Sequence, residues 1–336
     1  MLAYLRLRGA ARLRIFSVRP PAAARKVRYS NAQRNALATR LGDTMGTITT
    51  IRTDGLEASA DSSGAQLMSL RRDGVEYLWQ GDPTWWPRRA PVLFPIVGNL
   101  RDGRAESARG EVRLGRHGLA RNLEHELERA STDSVTYDLR STPETRERYP
   151  FDFELEMTYR LVGGALEQRF VVTNTGDATL PYVVGGHPAF NVPLAAGESF
   201  SDYHLEFARP WTCSTPVLEP ASGLWDESLR VPLLEDADVL PLTHELLAHD
   251  ALLLTDVPER TVTLRGPAGH GVRVDFDGFD YLGVWSAAND APFVAIEPWR
   301  GPSSFVGSDD VFEHKPGMDF LEPHESSEYR FRIIPF

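Results

Sequence analysis

In Phe153-Glu154-Leu155-Glu156-Met157-Thr158-Tyr159, apolar and polar side chains alternate strictly. Successive side chains of a β-strand point to opposite faces, so this pattern predicts a strand with one face on a core and one in water. A second strand is predicted at residues 166–173. It follows Val162-Gly163-Gly164, which favours a tight hairpin turn. The stretch therefore predicts two neighbouring strands that pair antiparallel.

The same alternation recurs in three further segments, residues 261–264, 272–276 and 329–333. Turn-forming Gly, Pro, Asn and Asp residues separate the predicted strands. Helical periodicity is scarce, and one short helix is predicted at residues 240–249. Many short strands without alternating helices predict an all-β fold, an antiparallel sandwich or barrel with few short helices. No linker-like stretch divides residues 45–336, so we expect a single domain there.

Composition excludes several classes of protein. The chain has 336 residues, of which 42% are hydrophobic, enough for a substantial core. A net charge of −11 argues against nucleic-acid binding, and no apolar run is long enough to cross a membrane. The single cysteine, Cys213, excludes an internal disulfide and a cysteine-rich metal site.

The N-terminal segment differs in charge from the rest of the chain. Residues 1–42 contain ten Lys or Arg and no Asp or Glu. This composition resembles a transit peptide, and a basic arm for nucleic acid or membrane is another reading. Arg outnumbers Lys so strongly that a GC-rich bacterial gene with an overlong start explains the segment better. We therefore expect residues 1–44 to be a disordered or artefactual leader, and the fold to begin at residue 45.

Three motifs carry candidate acid–base chemistry. His187 follows the predicted strand 182–184 and precedes Pro188, which interrupts a ladder. A histidine titrates near neutral pH and can give or take a proton. Glu297 follows a predicted apolar strand at residues 292–296, and a carboxylate at the end of such a strand must be paired, hydrogen-bonded or shifted in pKa. His117 precedes a glycine in a basic context. For each, a purely structural role is the alternative: a packed histidine, or an acid bonded to turn amides.

A second cluster favours sugar binding. Residues 85–99 combine tryptophans, arginines and prolines and end in Asn99. Aromatic rings stack on the apolar faces of pyranoses, whereas Arg and Asn side chains bond hydroxyl groups in defined directions. Trp285 and Trp299 add aromatic platforms, and Asp250 is a further polar candidate.

Four motifs in order resemble the aldose 1-epimerase family, and more closely its bacterial mutarotase-like branch. They are Ala90–Gly98, His117–Arg121, Gly186–Asn191 and Ile296–Trp299, and the resemblance extends over about residues 48–336. It implies a large antiparallel β-supersandwich that interconverts the α and β anomers of a free aldohexose without cofactor or metal. It further implies a cytoplasmic monomer or homodimer whose partner is the sugar.

The resemblance also assigns roles. His187 matches the general acid that protonates the ring oxygen, and Glu297 the general base that takes the proton of the C1 hydroxyl. His117 matches a sugar-binding histidine, and Arg88 and Asp250 match substrate-binding positions. With Asn99 and Trp299, these residues form the predicted site.

Two motifs depart from the galactose mutarotases. Residues 98–101 read Gly-Asn-Leu-Arg in place of an Asn-Arg pair, and Pro298-Trp299 follows Glu297 in place of Pro-Gly. Both departures leave the choice of sugar open.

Other functions remain compatible with these residues. A non-catalytic carbohydrate-binding sandwich would keep the aromatics and arginines. A metalloenzyme would use His117, His187 and Glu297 as ligands. A glycosidase would need a second carboxylate beside Glu297 or Asp250. An epimerase for a hexose 6-phosphate would bind the phosphate with arginines. The candidates for that binding are Arg88, Arg89, Arg101 and Arg121.

Overall fold

The computed structural model describes residues 46–336. The predicted leader, residues 1–44, lies outside this range. Strands dominate the described part, with one four-residue α-helix, α1 (Pro143–Arg146), and five short 3₁₀ turns. No helix within residues 46–336 is long and apolar enough to cross a membrane.

Residues 46–336 form twenty-three strands. Their bounds are β1 (Ile48–Thr53), β2 (Leu56–Asp61), β3 (Gln66–Arg72), β4 (Val75–Glu76), β5 (Val92–Leu93), β6 (Arg104–Ser107), β7 (Gly110–Arg113), β8 (Glu126–Ala130), β9 (Ser134–Arg140), β10 (Phe153–Val162), β11 (Ala165–Asn174), β12 (Leu180–Tyr182), β13 (Gly185–Gly186), β14 (Ala189–Asn191), β15 (His204–Glu219), β16 (Leu224–Pro241), β17 (Leu252–Thr255), β18 (Thr261–Arg265), β19 (Gly271–Asp275), β20 (Tyr281–Trp285), β21 (Phe293–Trp299), β22 (Asp319–Leu321) and β23 (Ser326–Pro335).

Two large sheets form the sandwich. One has nine strands in the order β16-β15-β18-β19-β23-β11-β10-β9-β8. The other follows β17-β20-β21-β13-β5, with β14 also paired to β21. A four-stranded sheet, β1 to β4, and the two-stranded pairs β12-β22 and β6-β7 complete the described fold. The ladders of the two large sheets are antiparallel, and the predicted all-β antiparallel supersandwich is confirmed.

The hairpin of β10 and β11 forms as its sequence predicts. Val162 pairs with Ala165, leaving Gly163 and Gly164 as a two-residue turn with φ of 58° and 76°. Such a turn requires positive φ at both central positions, which glycine adopts without steric cost. The apolar members of the alternation, from Phe153 to Leu161, are at most 2% exposed. The turn and the alternating pattern thus set the same register.

The prediction of a short helix at residues 240–249 is wrong. Strand β16 continues to Pro241, with Leu240 paired to Leu205 of β15, and the following residues form turns. The backbone N–H of Leu242 donates to the Tyr203 carbonyl at 3.0 Å. Leu240 and Leu242 are both buried in the core. No helix forms because strand pairing and core packing outweigh the weak helix preference of this segment.

The side chains of strand β21 point alternately to the two faces of the six-stranded sheet. All seven of its residues are buried. Val294 and Ile296 belong to the core shared with the nine-stranded sheet. Because side chains alternate across a strand, the odd-numbered residues face the opposite way. Phe293, Ala295 and Trp299 there pack in separate aromatic clusters, and Glu297 shares their face. Glu297 therefore lies on the face of this sheet that is opposite the shared core.

Candidate active site

Strand register places His187 opposite Glu297. Gly185 pairs with Trp299 before the interruption and Ala189 pairs with Ala295 after it. The two intervening segments have equal length, so His187 falls across from Glu297. The imidazole Nε2 lies 3.3 Å from the carboxylate Oε2. Pairing of β13 and β14 with β21 thus brings together two motifs that are far apart in sequence.

Aromatic rings hold the His187 imidazole in place. Trp86 stacks on it with ring centroids 4.9 Å apart, and Trp285 meets it edge-on at 5.6 Å. His117 contacts it edge-on at 5.5 Å. His187 is 6% exposed and Glu297 1% exposed. Packing on three sides restricts the ring before any ligand arrives, as preorganised catalysis requires.

His117 is fixed by a reciprocal pair of hydrogen bonds with Gly98. The Gly98 N–H donates to His117 Nδ1 at 3.1 Å, and the His117 N–H donates to the Gly98 carbonyl at 2.7 Å. These bonds hold His117 at a φ of 65°. Because Nδ1 accepts a hydrogen bond, the neutral ring carries its proton on Nε2. His117 is therefore a hydrogen-bond donor at Nε2.

These side chains line a cavity of about 290 Å³. Small-ligand pockets usually span about 300–1,000 Å³, so the cavity suits a molecule of monosaccharide size. All seven predicted site residues line it: Arg88, Asn99, His117, His187, Asp250, Glu297 and Trp299. The structure brings them together, whereas their roles stay predictions.

Hydrogen bonds within the protein hold the predicted substrate-binding residues. Arg88 donates to the Arg121 carbonyl at 3.1 Å and to Asn122 Oδ1 at 2.6 Å. Asn99 Nδ2 donates to the Gly223 carbonyl at 3.2 Å. The Asp250 carboxylate accepts from the Ala251 N–H at 2.9 Å. The cavity wall is thus built before a sugar binds.

Two arginines suggested as phosphate ligands lie outside the cavity lining. Arg89 donates to the Met68 carbonyl and to Gln80 Oε1. Arg101 pairs with Asp310 at 2.9 Å. Both arginines are close in sequence to motifs that line the cavity, but their side chains do not line it. Arg88 and Arg121 remain as cavity residues.

Sequence reasoning missed several residues of the wall. Leu218, Gly223 and Trp225 reach the cavity from the end of the hairpin formed by β15 and β16, and no local motif marks them. Ser303 accepts from the Asn99 N–H at 2.7 Å and donates to the Gly223 carbonyl at 2.8 Å. Arg116 also lines the cavity, and its position beside His117 was the available signal.

Burial shifts the pKa values of the central pair in opposite directions. Burial, followed by the positive charge of Arg121, lowers the pKa of His187 to about 3. Burial, followed by the Asp250 charge, raises the pKa of Glu297 well above its ordinary value, with Trp299 and Arg116 opposing. Each shift favours the neutral form. A neutral imidazole beside a carboxylic acid differs from an imidazolium beside a carboxylate only in the position of one proton.

Several buried polar atoms around the cavity lack a hydrogen-bond partner among the described residues. They are His187 Nδ1, Glu297 Oε2, Arg121 Nε and the indole nitrogens of Trp225 and Trp299. Buried polar atoms are nearly always hydrogen-bonded, so these cavity atoms are open to hydrogen bonds with water or with a ligand.

The metal alternative is not supported by this geometry. Within residues 46–336, no three His, Cys, Asp or Glu side chains are arranged to hold a metal ion. The acceptor nitrogen of His117 already receives the Gly98 N–H. His117, His187 and Glu297 thus do not form a ligand set.

The Trp299 ring packs directly over Gly283, which has no side chain. A Cβ at position 283 would lie 2.3 Å from the Trp299 ring. We expect Gly283→Ala to lower the free energy of unfolding by about 1–3 kcal/mol through overpacking, measured by urea denaturation. Gly307→Ala is the matched control, because its Cβ meets nothing within 4 Å, and should change stability by less than about 0.5 kcal/mol. Equal stabilities of the two variants would contradict this packing.

Burial of His125 makes the stability of the fold depend on pH. Its ring is 1% exposed, Nε2 lies 3.1 Å from the Ala120 carbonyl, and burial lowers its pKa from 6.5 to about 4. A depressed folded-state pKa contributes stability above pH 6.5 that is lost as the pH falls toward 4. We expect the stability advantage of the wild type over His125→Gln to shrink by about 2–3 kcal/mol between pH 7 and 4. Urea denaturation across this range measures it, and a constant difference would refute it.

Comparison with known proteins decides the family. Residues 47–306 match the sequence profile of the family described as aldose 1-epimerase. The chain belongs to the aldose 1-epimerase family. This family member is 41% identical over 279 residues to the plasmid and chromosomal LacX proteins of Lactococcus lactis, covering 80% of this chain and 93% of LacX. The resemblance inferred from four motifs is confirmed.

Two solved structures share the architecture of this aldose 1-epimerase family member. A galactose mutarotase related enzyme from Lactobacillus acidophilus has 32% identity and a TM-score of 0.82, covering 86% of this chain and 97% of that one. A galactose mutarotase-like protein from Lactobacillus casei has 30% identity and a TM-score of 0.79, covering 86% and 100%. Both similarities support a mutarotase-type function for this family member.

Proposed function

We propose that the protein interconverts the α and β anomers of a free aldohexose by acid–base opening and closure of the pyranose ring. The observation that carries this proposal is the pairing of His187 with Glu297 at 3.3 Å in a cavity of monosaccharide size. Mutarotation needs one group that takes a proton and one that gives it. A histidine and a glutamate that together carry one transferable proton supply both.

The proposed reaction uses the roles that the family resemblance assigns to this pair. In the reactive form of the pair, the proton has moved from the Glu297 carboxyl to His187. The Glu297 carboxylate then takes the proton of the C1 hydroxyl while the His187 imidazolium gives its proton to the ring oxygen. The C1–O5 bond breaks, C1 becomes an aldehyde, and the C1–C2 bond rotates. In reclosure, neutral His187 takes the proton of the C5 hydroxyl and protonated Glu297 returns its proton to the C1 oxygen. Each turnover restores the starting proton distribution.

The remaining cavity residues bind the sugar in this proposal. Trp86, Trp285 and Trp299 offer aromatic faces. His117 donates from Nε2 to a sugar oxygen, because its Nδ1 is occupied by the Gly98 N–H. Since these contacts use hydroxyls common to many aldoses, they do not choose one sugar.

Anomer exchange tests the proposal directly. Purified full-length protein is added to fresh α-D-glucose, α-D-galactose and their 6-phosphates, and the approach to equilibrium is followed by polarimetry and NMR saturation transfer. We expect an exchange rate above the spontaneous rate that rises in proportion to protein concentration. If calorimetry detects binding of a sugar whose exchange is not accelerated, the non-catalytic carbohydrate-binding alternative replaces the proposal.

A further inference from the structure

The indole ring of Trp86 stacks on His187. Among the described residues, three rings contact the imidazole, and Trp86 is the nearest of them, with centroids 4.9 Å apart and planes 22° from parallel. The ring planes of His117 and Trp285 cross that of the imidazole at 78° and 82°. Trp86 therefore presents the face of its π system to His187.

Contacts on the protein side hold Trp86 in this position. Its N–H donates to the Asp82 carbonyl at 3.0 Å, and its carbonyl accepts from the indole N–H of Trp79 at 2.9 Å. The ring also packs on Phe293 of β21, with centroids 5.7 Å apart and planes 30° from parallel. The stacking on His187 is thus part of the fold and needs no ligand.

The proposed reaction uses a form of the acid–base pair that the site disfavours. Burial, followed by the positive charge of Arg121, lowers the pKa of His187 to about 3, whereas burial raises the pKa of Glu297. The neutral imidazole beside a carboxylic acid is therefore the major form. Ring opening starts from the minor form, an imidazolium beside a carboxylate. A group that binds this minor form more strongly than the major one raises kcat.

A tryptophan face distinguishes the two forms. The face of an indole carries negative potential, so it attracts an imidazolium more strongly than a neutral imidazole. This interaction operates within about 6 Å of the ring centroid and becomes stronger where water is excluded. His187 lies 4.9 Å from Trp86 between ring centroids and is only 6% exposed. Both conditions are met at this contact.

We propose that Trp86 stabilises the imidazolium form of His187 through its π face, and so increases the fraction of molecules in which the proton has moved from Glu297 to His187. One proton leaves the Glu297 carboxyl and joins the imidazole, and no other bond changes. Trp86 touches no reacting atom in this role, so it is a positioning residue that acts through His187. The inference rests on the proposed function, because the ring-opening step is what requires the imidazolium.

Fluorination of Trp86 tests the charge on its face while nearly preserving its shape. Fluorine atoms withdraw electron density from the π system of the indole. Indoles with one to four fluorine atoms are placed at position 86 of the full-length protein by nonsense suppression. NMR saturation transfer then measures kcat with D-glucose or D-galactose, whichever exchanges faster. We expect kcat to fall with each added fluorine, by about 3- to 30-fold in total, the size of a cation–π interaction. A purely structural contact would not follow the number of fluorine atoms.

A binding measurement separates this role from stacking on the sugar. The 1,5-anhydrohexitol that matches the substrate keeps the pyranose ring but has no C1 hydroxyl, so it binds without reacting. Calorimetry with this probe gives Kd across the fluorinated series, and Kd should change less than kcat. A loss confined to Kd, with kcat unchanged, would assign Trp86 to the sugar and refute the inference.

Trp211 provides the matched control. Its ring packs on Phe207 in β15 and does not line the cavity, so the same fluorinated series at Trp211 should leave kcat unchanged. Conventional variants give a second series: Trp86→Phe keeps a weaker face and Trp86→Leu has none, so kcat should fall in that order. If Trp86→Leu does not fold, the fluorinated indoles decide, because they preserve the packing.

Two results would overturn the inference alone. One is accelerated exchange whose kcat is independent of fluorination at position 86. The other is an equal loss of kcat from fluorination at Trp211. By contrast, absence of acceleration for every aldose tested would remove the proposed function itself, so the two failures are distinguishable.

Discussion

Replacing Glu297 with glutamine is expected to lower kcat for anomer exchange by about 100- to 10,000-fold, the usual contribution of a positioned acid or base. Glutamine has nearly the same shape as glutamate, but it cannot take the proton of the C1 hydroxyl. Saturation-transfer NMR with the preferred aldose measures the loss.

Stability measurements separate this loss from unfolding. The raised pKa of Glu297 contributes stability below the unfolded pKa that is lost as the pH rises through the folded pKa. Glutamine removes this dependence, so the variant should be at least as stable as the wild type at pH 8. Glu156→Gln on the outer face of β10 is the control and should keep full activity. A Glu297→Gln variant with near-wild-type kcat would eliminate Glu297 as the base.

Replacing His187 with asparagine is expected to cause a loss of similar size, about 100- to 10,000-fold in kcat. Asparagine cannot deliver a proton to the ring oxygen. Because His187 and Glu297 act as a unit on one proton, the double variant should be no slower than about the worse single variant. The same exchange assay compares all three proteins.

His314→Asn serves as the control for this substitution. His314 is exposed, pairs with Asp309 and lies outside the cavity, so its variant should retain wild-type kcat. If the losses of the two single variants multiply in the double variant, the groups act independently and the shared-proton account is wrong.

Local patterns predicted much of the architecture. The alternation at Phe153–Tyr159 and the Gly163-Gly164 turn are local, so their strands and hairpin could be identified without distant contacts. The same rule failed at residues 240–249, where residues 240 and 241 continue β16 by pairing with β15 and the residues after them form turns. Sequence periodicity alone does not settle short apolar segments.

The candidate site was predictable to the extent that its residues belong to motifs. In the sequence, His187 and Glu297 each follow a predicted apolar strand, and the family resemblance joined them, although Glu297 lies within β21 in the structure. Their mutual register is a property of the sheet and could be seen only in three dimensions. No sequence motif identified Trp225 as a cavity residue. Its position depends on the long hairpin of β15 and β16, in which Trp225 contacts Ser304 and Phe305, and this contact is visible only in three dimensions.

The cross-strand position of His187 and Glu297 has a consequence for folding. A slip of β21 by one residue would reverse which of its side chains face the core, and would set Ile296 or Pro298 opposite His187. Such a chain would retain much of its strand content yet lack an acid–base pair. Catalytic activity should therefore distinguish correctly aligned molecules from misaligned ones that far-ultraviolet circular dichroism cannot tell apart. In refolding experiments, recovery of anomer exchange then serves as a measure of strand alignment in this sheet.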